Sequence, residues 1–245
     1  MKTVGIIEAR VSSTRLPGKI MRPILGKPML ELLSERLKLA RGLDQLVIAT
    51  TCNPADDVVE HLTQRLGIGC YRGSEQDVLD RVLQAAHAAS AGVIVEITGD
   101  CPLVDPAVVD KVVAAYQANQ FDFVSNRLRS TYPDGMGVRV FSTELLEKVA
   151  RLTQDPVDRE HVSIYIWEHP DEFSLHDVES GLPEKYWDLR LTVDTREDFL
   201  LITRIFTELY PGNPAFGLHD ILDLIERRPE LIEINRHIQP KQARE

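Results

Sequence analysis

Seven residues within ten positions near the amino terminus have the types needed to hold an anion: Arg10, Ser12, Ser13, Thr14, Arg15, Gly18 and Lys19. Small hydroxyl residues and a glycine let backbone N–H groups face a negative ligand, and three cations supply countercharge. Directly before them, Thr3-Val4-Gly5-Ile6-Ile7 is a short apolar run of the kind that forms a buried strand. A strand emptying into such a loop predicts a polyphosphate cradle. A P-loop is excluded by spacing, because Ser13 stands where its first glycine belongs and Ile20 where Ser or Thr must follow the lysine. The dinucleotide pattern G-x-G-x-x-G is absent as well. A plain basic surface loop closed by the Pro17-Gly18 turn is the competing reading, and the strand behind the loop argues against it.

Two acids stand at comparable places further along. Asp100 follows the apolar run Val93–Thr98, and ligands of open parallel sheets gather at the carboxyl ends of strands. A turn or helix-capping role is the alternative for Asp100, but Asp105, followed by Pro106, fits a cap better. Asp194 ends the run Leu191-Thr192-Val193, while Thr195 and Asp198 have the spacing of a capping box that leaves Asp194 outside it.

The elements that must position these residues follow from periodicity. Apolar residues between Pro28 and Leu39 have helical spacing, and Gln45–Thr50 reads as a second buried strand. Asn53-Pro54 starts a helix that should stop near Gly67, and a short strand at Cys70-Tyr71 leads to an Ala-rich helix ending at Gly92. Val93–Thr98 and Phe121–Ser125 are further strands. The alternation predicts an α/β fold, a parallel sheet with helices on both faces. From Asn126 to about Lys185 the chain is turn-rich, with a short strand at Val138–Phe141, a helix from Ser142 to Thr153, a helix over Arg159–Glu168 and extended segments near 173–178 and 189–193. This reads as an elaboration of one domain spanning residues 1–245. Two helices follow, from Thr195 to Leu209 and from Phe216, and fraying is expected from Gln239 onward.

The stretch Ala9-Arg10 and Arg15-Leu16-Pro17-Gly18-Lys19 resembles the amino-terminal motif of the sugar-acid cytidylyltransferases, which activate sialic acid and 3-deoxy-manno-octulosonate as CMP-sugars. Glu8 and Val11-Ser12-Ser13 depart from the commoner form and are similar to the subgroup named after spore-coat polysaccharide biosynthesis protein F. The likeness extends over nearly the whole chain. It implies a Rossmann-like nucleotidyltransferase fold of the nucleotide-diphospho-sugar transferase type. Gly99-Asp100-Cys101-Pro102-Leu103 and Val193-Asp194-Thr195 resemble the two segments whose aspartates bind magnesium, so Asp100 and Asp194 are the implied Mg²⁺ ligands. Arg72-Gly73-Ser74-Glu75-Gln76-Asp77 resembles the segment touching base and ribose. Ala9, Arg10, Ser12, Ser13, Arg15, Lys19, Arg72 and Asp77 are thus the implied nucleotide contacts, and Arg15, Lys19 and Asp100 the catalytic set. Tyr132, Asp134, Arg159 and His161 lie in segments that also match the subgroup, which implies contact with the sugar; a lone histidine is more often structural.

By the same resemblance, residues 126–185 form the sugar pocket and the contact of a homodimer, and the substrates are CTP and a small sugar acid. A glycosyltransferase would instead carry an Asp-x-Asp motif, and Asp100 and Asp105 are too far apart for one. A non-catalytic nucleotide-binding subunit would not need Lys19, Asp100 and Asp194 together.

Composition narrows the partners. A net charge of −10 excludes a general nucleic-acid binder, yet eight Lys and Arg fall between residues 10 and 41 against only Glu31 and Glu35. A basic island on an acidic protein suits a small anion. Cys52, Cys70 and Cys101 form no C-x-x-C pair, and the histidines show no zinc spacing. With no membrane-length apolar run and no signal-peptide pattern, a cytoplasmic protein is expected.

Overall fold

The structure, a computed structural model, describes residues 1–239 and residue 244. Among the described residues nine strands form, in chain order, β1 Thr3–Glu8, β2 Pro23–Ile24, β3 Lys27–Pro28, β4 Gln45–Thr51, β5 Gly69–Gly73, β6 Val93–Thr98, β7 Phe123–Ser125, β8 Arg139–Ser142 and β9 Leu175–Asp177. The helices are α1 Met29–Leu37, α2 Asp57–Leu66, α3 Val78–Ala88, α4 Pro106–Ala118, α5 Thr143–Leu152, α6 Pro156–Glu160, α7 Ile164–Glu168, α8 Arg196–Leu209 and α9 Leu218–Arg227. Seven strands make one sheet in the order β5-β4-β1-β6-β8-β7-β9, and β2 and β3 pair separately.

The sheet is mostly parallel, as expected. The exception is β8, which runs antiparallel to both β6 and β7 and sits between them. A four-residue strand carries no signal of direction, so this insertion could not be read from its pattern. Side chains alternate across the sheet. Ile7, Ile48 and Ile97 pack on one face with Leu33, Val109, Ile205 and Leu222 from α1, α4, α8 and α9. Val4, Ile6 and Ile94 pack on the other with Val82 and Leu146 from α3 and α5.

Local chemistry sets the helix starts. Asp105 caps α4 by accepting from Ala107 N–H at 2.8 Å, and Pro106 takes the first helical position. The Thr195–Asp198 capping box opens α8 as the spacing requires. The single helix expected over Arg159–Glu168 is instead two short ones, α6 and α7. Val162 between them has φ 51°, which breaks the helical path. The fraying expected from Gln239 onward falls, apart from Gln239 itself and Arg244, outside the described residues. Among the described residues no helix is long and apolar enough to cross a membrane.

Candidate active site

The loop after β1 is held open by a buried acid. Asp56 accepts the Val11 N–H at 2.7 Å through Oδ1 and binds the Thr51 hydroxyl and N–H through Oδ2. Within the loop, Ser13 N–H and Gly18 N–H both donate to the Val11 carbonyl, at 2.8 and 3.1 Å. Ala9 is buried and its N–H donates to Ala49 O at 3.2 Å. These contacts bring Lys19, at the loop's end, back under the carboxyl edge of the sheet.

There the distant acids meet it. Lys19 Nζ donates to Asp100 Oδ2 at 2.9 Å, to Asp194 Oδ1 at 2.9 Å and to the Val193 carbonyl at 2.7 Å. Arg15 adds a contact to Asp194 Oδ1 at 2.9 Å. The backbone enforces the meeting: Val193 N–H donates to Asp100 O at 2.8 Å, and Thr192 Oγ1 donates to the same oxygen at 3.2 Å. Gly99 permits it, because a Cβ there would lie 2.7 Å from the Glu8 carbonyl, which accepts the Gly99 N–H at 2.8 Å. The ends of β1 and β6 can approach this closely only without a side chain.

Arg190, which sequence reasoning passed over, completes the cluster. Its Nε donates to Asp198 Oδ1 at 3.0 Å, Nη1 to Asp134 Oδ2 at 3.2 Å, and Nη2 to Asp194 Oδ2 at 2.8 Å and Asp198 Oδ2 at 3.1 Å. Asp198 is wholly buried and also accepts from Asn235 Nδ2 at 2.8 Å. The signal that could have found Arg190 is a charge inside the apolar run Leu189-Arg190-Leu191.

The electrostatics follow from these distances. Burial works against the Lys19 charge, but Asp100 and Asp194 outweigh it and hold its pKa above the ordinary lysine value. Burial would raise the Asp194 carboxyl, yet Lys19, Arg15 and Arg190 keep it below the usual carboxylate range. The cluster is therefore a set of opposed full charges at the edge of a cavity of about 880 Å³, whose wall includes Arg15, Asp100, Arg127, Asp134, Arg190 and Asp194.

The other sequence candidates separate into two groups. Arg10 Nη1 donates to the Glu75 carbonyl at 3.1 Å and Ser12 Oγ to Glu75 Oε1 at 2.5 Å, so the loop and the 72–77 segment are joined through Glu75. Arg72 turns to α2 instead, donating to Asp57 at 2.7 Å, Glu60 at 2.8 Å and two carbonyls. Asp77 caps α3 and is clamped by both ends of the Arg159 guanidinium, so these two candidates meet each other and not Lys19. Tyr132 is buried, its hydroxyl accepting from Lys111 at 3.3 Å. His161 is exposed at the end of α6, its N–H donating to Val157 O at 2.9 Å. Of the four sugar-side candidates, Asp134 reaches the cluster, through Arg190.

A cation site is consistent with this donor set. Two carboxylates from distant segments, one just beyond β6 and one just before α8, already share one cation, and hard oxygens are what Mg²⁺ takes. Among the described residues no group of three or more His, Cys, Asp or Glu is placed to hold a metal ion, so any further ligands must come from substrate or water.

A family model described as cytidylyltransferase matches residues 4–237. The chain belongs to the cytidylyltransferase family. The spore coat polysaccharide biosynthesis protein SpsF of Bacillus subtilis is 32% identical to this cytidylyltransferase over 234 residues, 92% of this chain and 94% of that one. A cytidylyltransferase structure from Leptospira borgpetersenii superposes with a TM-score of 0.90 at 32% identity, covering 99% of this chain and 100% of the other. The 3-deoxy-manno-octulosonate cytidylyltransferase of Solibacter usitatus is 40% identical over 114 residues, 46% of this chain and 44% of that one.

Proposed function

We propose that this cytidylyltransferase joins the cytidylyl group of CTP to a sugar acid of the sialic or ulosonic type, for surface polysaccharide biosynthesis. The observation that carries the reading is the convergence of Lys19 and Arg15 with Asp100 and Asp194 at the mouth of a cavity large enough for a sugar. The Bacillus relative's name supports the polysaccharide role, and the Solibacter relative's name supports a sugar-acid acceptor.

In this reaction an acceptor oxygen attacks the α-phosphorus of CTP, the bond to the bridging oxygen breaks and pyrophosphate departs. Arg10, Arg15 and Lys19 hold the phosphates, and Ala9, Ser12 and Ser13 form the nucleotide side of the loop. Lys19, shared between the two carboxylates, exchanges them for phosphate oxygens when the triphosphate enters. Asp100 and Asp194 would hold Mg²⁺, which when bound offsets charge growing on the phosphoryl oxygens. Such catalysis is positioning plus electrostatics, and no strong general base is required. The reading includes one nucleotidyltransferase domain over residues 1–245, with 126–185 shaping the acceptor pocket, acting as a homodimer in the cytoplasm; sedimentation tests the dimer.

The deciding experiment follows pyrophosphate with a panel of nucleoside triphosphates and sugar acids. Release is expected with CTP and a sugar acid in the presence of Mg²⁺. Asp100→Ala should keep its circular dichroism and melting temperature while losing on the order of 10²–10³ in rate. Normal turnover in that variant rejects the assignment.

A further inference from the structure

We propose that Arg127 and Arg139 form a seat for the carboxylate of the acceptor, on the wall of the cavity formed by the β7–β8 pair. This rests on the reading of the acceptor as a sugar acid. The cations on that wall differ in how many hydrogen-bond donors they have left over. Arg190 uses all three of its nitrogens on aspartates. Arg15 is drawn to Asp194, Lys185 to Glu226 and Arg236 to Glu233. Arg139, by contrast, donates one hydrogen bond, from Nη1 to Glu96 Oε1 at 3.1 Å. Arg127 only approaches Asp134 Oδ1, at 3.4 Å. Neither guanidinium makes another side-chain hydrogen bond among the described residues. Each carries five N–H donors in a planar fork that matches a carboxylate.

The two groups lie together. Ser125 pairs with Arg139 in the β7–β8 register, and Arg127 follows two residues on. Both side chains line the main cavity and a smaller one of about 120 Å³ beside it. The support beneath them is rigid. The Asn126 side chain donates to Met136 O and accepts from Val138 N–H, both at 2.8 Å, and Arg127 N–H donates to Ser125 Oγ at 3.1 Å. Gly137 leaves room for the Arg127 stem: a Cβ there would lie 3.2 Å from Arg127 Cγ and 3.4 Å from Cδ.

The charge balance leaves the seat positive. Asp134 is divided between Arg127 and Arg190. Burial and the neighbouring Glu96 push the Glu8 carboxyl upward toward its neutral form, so Arg81 and Arg139 face fewer negative charges than there are carboxyls. Position agrees with this role. Arg139 stands opposite Glu96, four residues before Asp100, which is at most about 13 Å of extended chain. One acceptor can therefore touch both the seat and the reacting centre.

The test separates charge recognition from general damage. The probes are 3-deoxy-manno-octulosonate and N-acetylneuraminate, each with its carboxamide. Binding is read from the fluorescence of the chain's two tryptophans, since Trp187 lines the larger cavity and Trp167 the smaller. Turnover is read as pyrophosphate. The wild type should prefer the acid over the carboxamide by about tenfold to a hundredfold. In Arg127→Met, in Arg139→Met and in the double variant that preference should shrink towards one. KM for CTP should stay within about twofold. Gly137→Ala crowds the Arg127 stem by a few tenths of an ångström without touching the Arg139–Glu96 pair, and should reduce the preference even where Arg139→Met fails to fold. An unchanged preference in Arg127→Met and Gly137→Ala overturns the seat. If pyrophosphate is still released with an acid acceptor in that case, the proposed function stands alone. If no acid supports release or alters the fluorescence, both readings fall.

Discussion

Two charged clusters lie at the carboxyl rim of the sheet, and they have opposite characters. In the first, Lys19, Arg15 and Arg190 face Asp100, Asp194 and Asp198, and both oxygens of Asp194 and of Asp198 have partners. In the second, Glu8 and Glu96 follow the parity of Ile6 towards the α3 side, near Arg81 and Arg139. There Glu8 Oε1 and Glu96 Oε2 are buried without a hydrogen-bond partner among the described residues. The same desolvation acts on both, and the outcome differs because of the countercharges. Asp194 is held ionised, whereas the Glu8 and Glu96 carboxyls are pushed up by burial, Glu8 further by the proximity of Glu96. A rim can thus hold opposed charges on one side and carboxyls pushed by burial towards their neutral form on the other.

The contrast can be broken at several points. The largest effect is expected from Lys19→Met, which removes the cation shared by Asp100 and Asp194. Its kcat for pyrophosphate release should fall by on the order of 10²–10³, and a value near wild type would mean that the first cluster is only structural. Next is Arg190→Met, which leaves the wholly buried Asp198 with Asn235 and backbone donors alone. Urea unfolding should show a loss of about 3 kcal/mol, partly restored in Arg190→Lys.

The second cluster makes a prediction about pH. The Glu8 pKa is raised from 4.5 to about 8, chiefly by burial. A folded-state value above the unfolded one means that the folded protein binds this proton more tightly. The contribution is complete below about pH 4.5 and is lost as pH rises towards about 8. Denaturant unfolding across that window should show wild-type stability declining by about 1.4 kcal/mol per pH unit, on the order of 5 kcal/mol in all, from this group. Glu8→Gln should flatten the decline, and an equal slope in both proteins would refute the assignment. The smallest effect is expected from Arg72→Met. The Arg72 guanidinium is engaged by Asp57 and Glu60 on the exposed side of α2, so KM for CTP should change less than about twofold. A tenfold rise would return Arg72 to the nucleotide site.

The anion loop, the place of Asp100 just beyond β6, and the caps at Asp105 and Thr195 were legible because each rests on a local rule: a strand before a loop, or a side chain bonded to a nearby N–H. The extended segment expected over 189–193 before Asp194 forms no strand, only an isolated bridge between Arg190 and Asp134. What was not legible depends on contacts between distant segments. The direction of β8 is set by its neighbours β6 and β7, and nothing in Val138-Arg139-Val140-Phe141 states it. The pairing of Arg159 with Asp77 joins residues 82 positions apart and gives two candidate ligand contacts a shared structural role. Glu96 within Val93–Thr98 and Arg190 within Leu189–Leu191 did leave a trace, a charge amid apolar neighbours. The sequence does not say which partner neutralises either one.

The bond between Val193 N–H and Asp100 O, with Asn235 bracing Asp198, has a consequence for biosynthesis. A growing polypeptide that has reached only α4 already owns the first jaw of the site but not the second. The second arrives with residue 194, and its brace only once residue 235 has left the ribosome. The cluster is thus complete only once both later segments have emerged, and a product cut short before Asn235 would leave Asp198 without that brace.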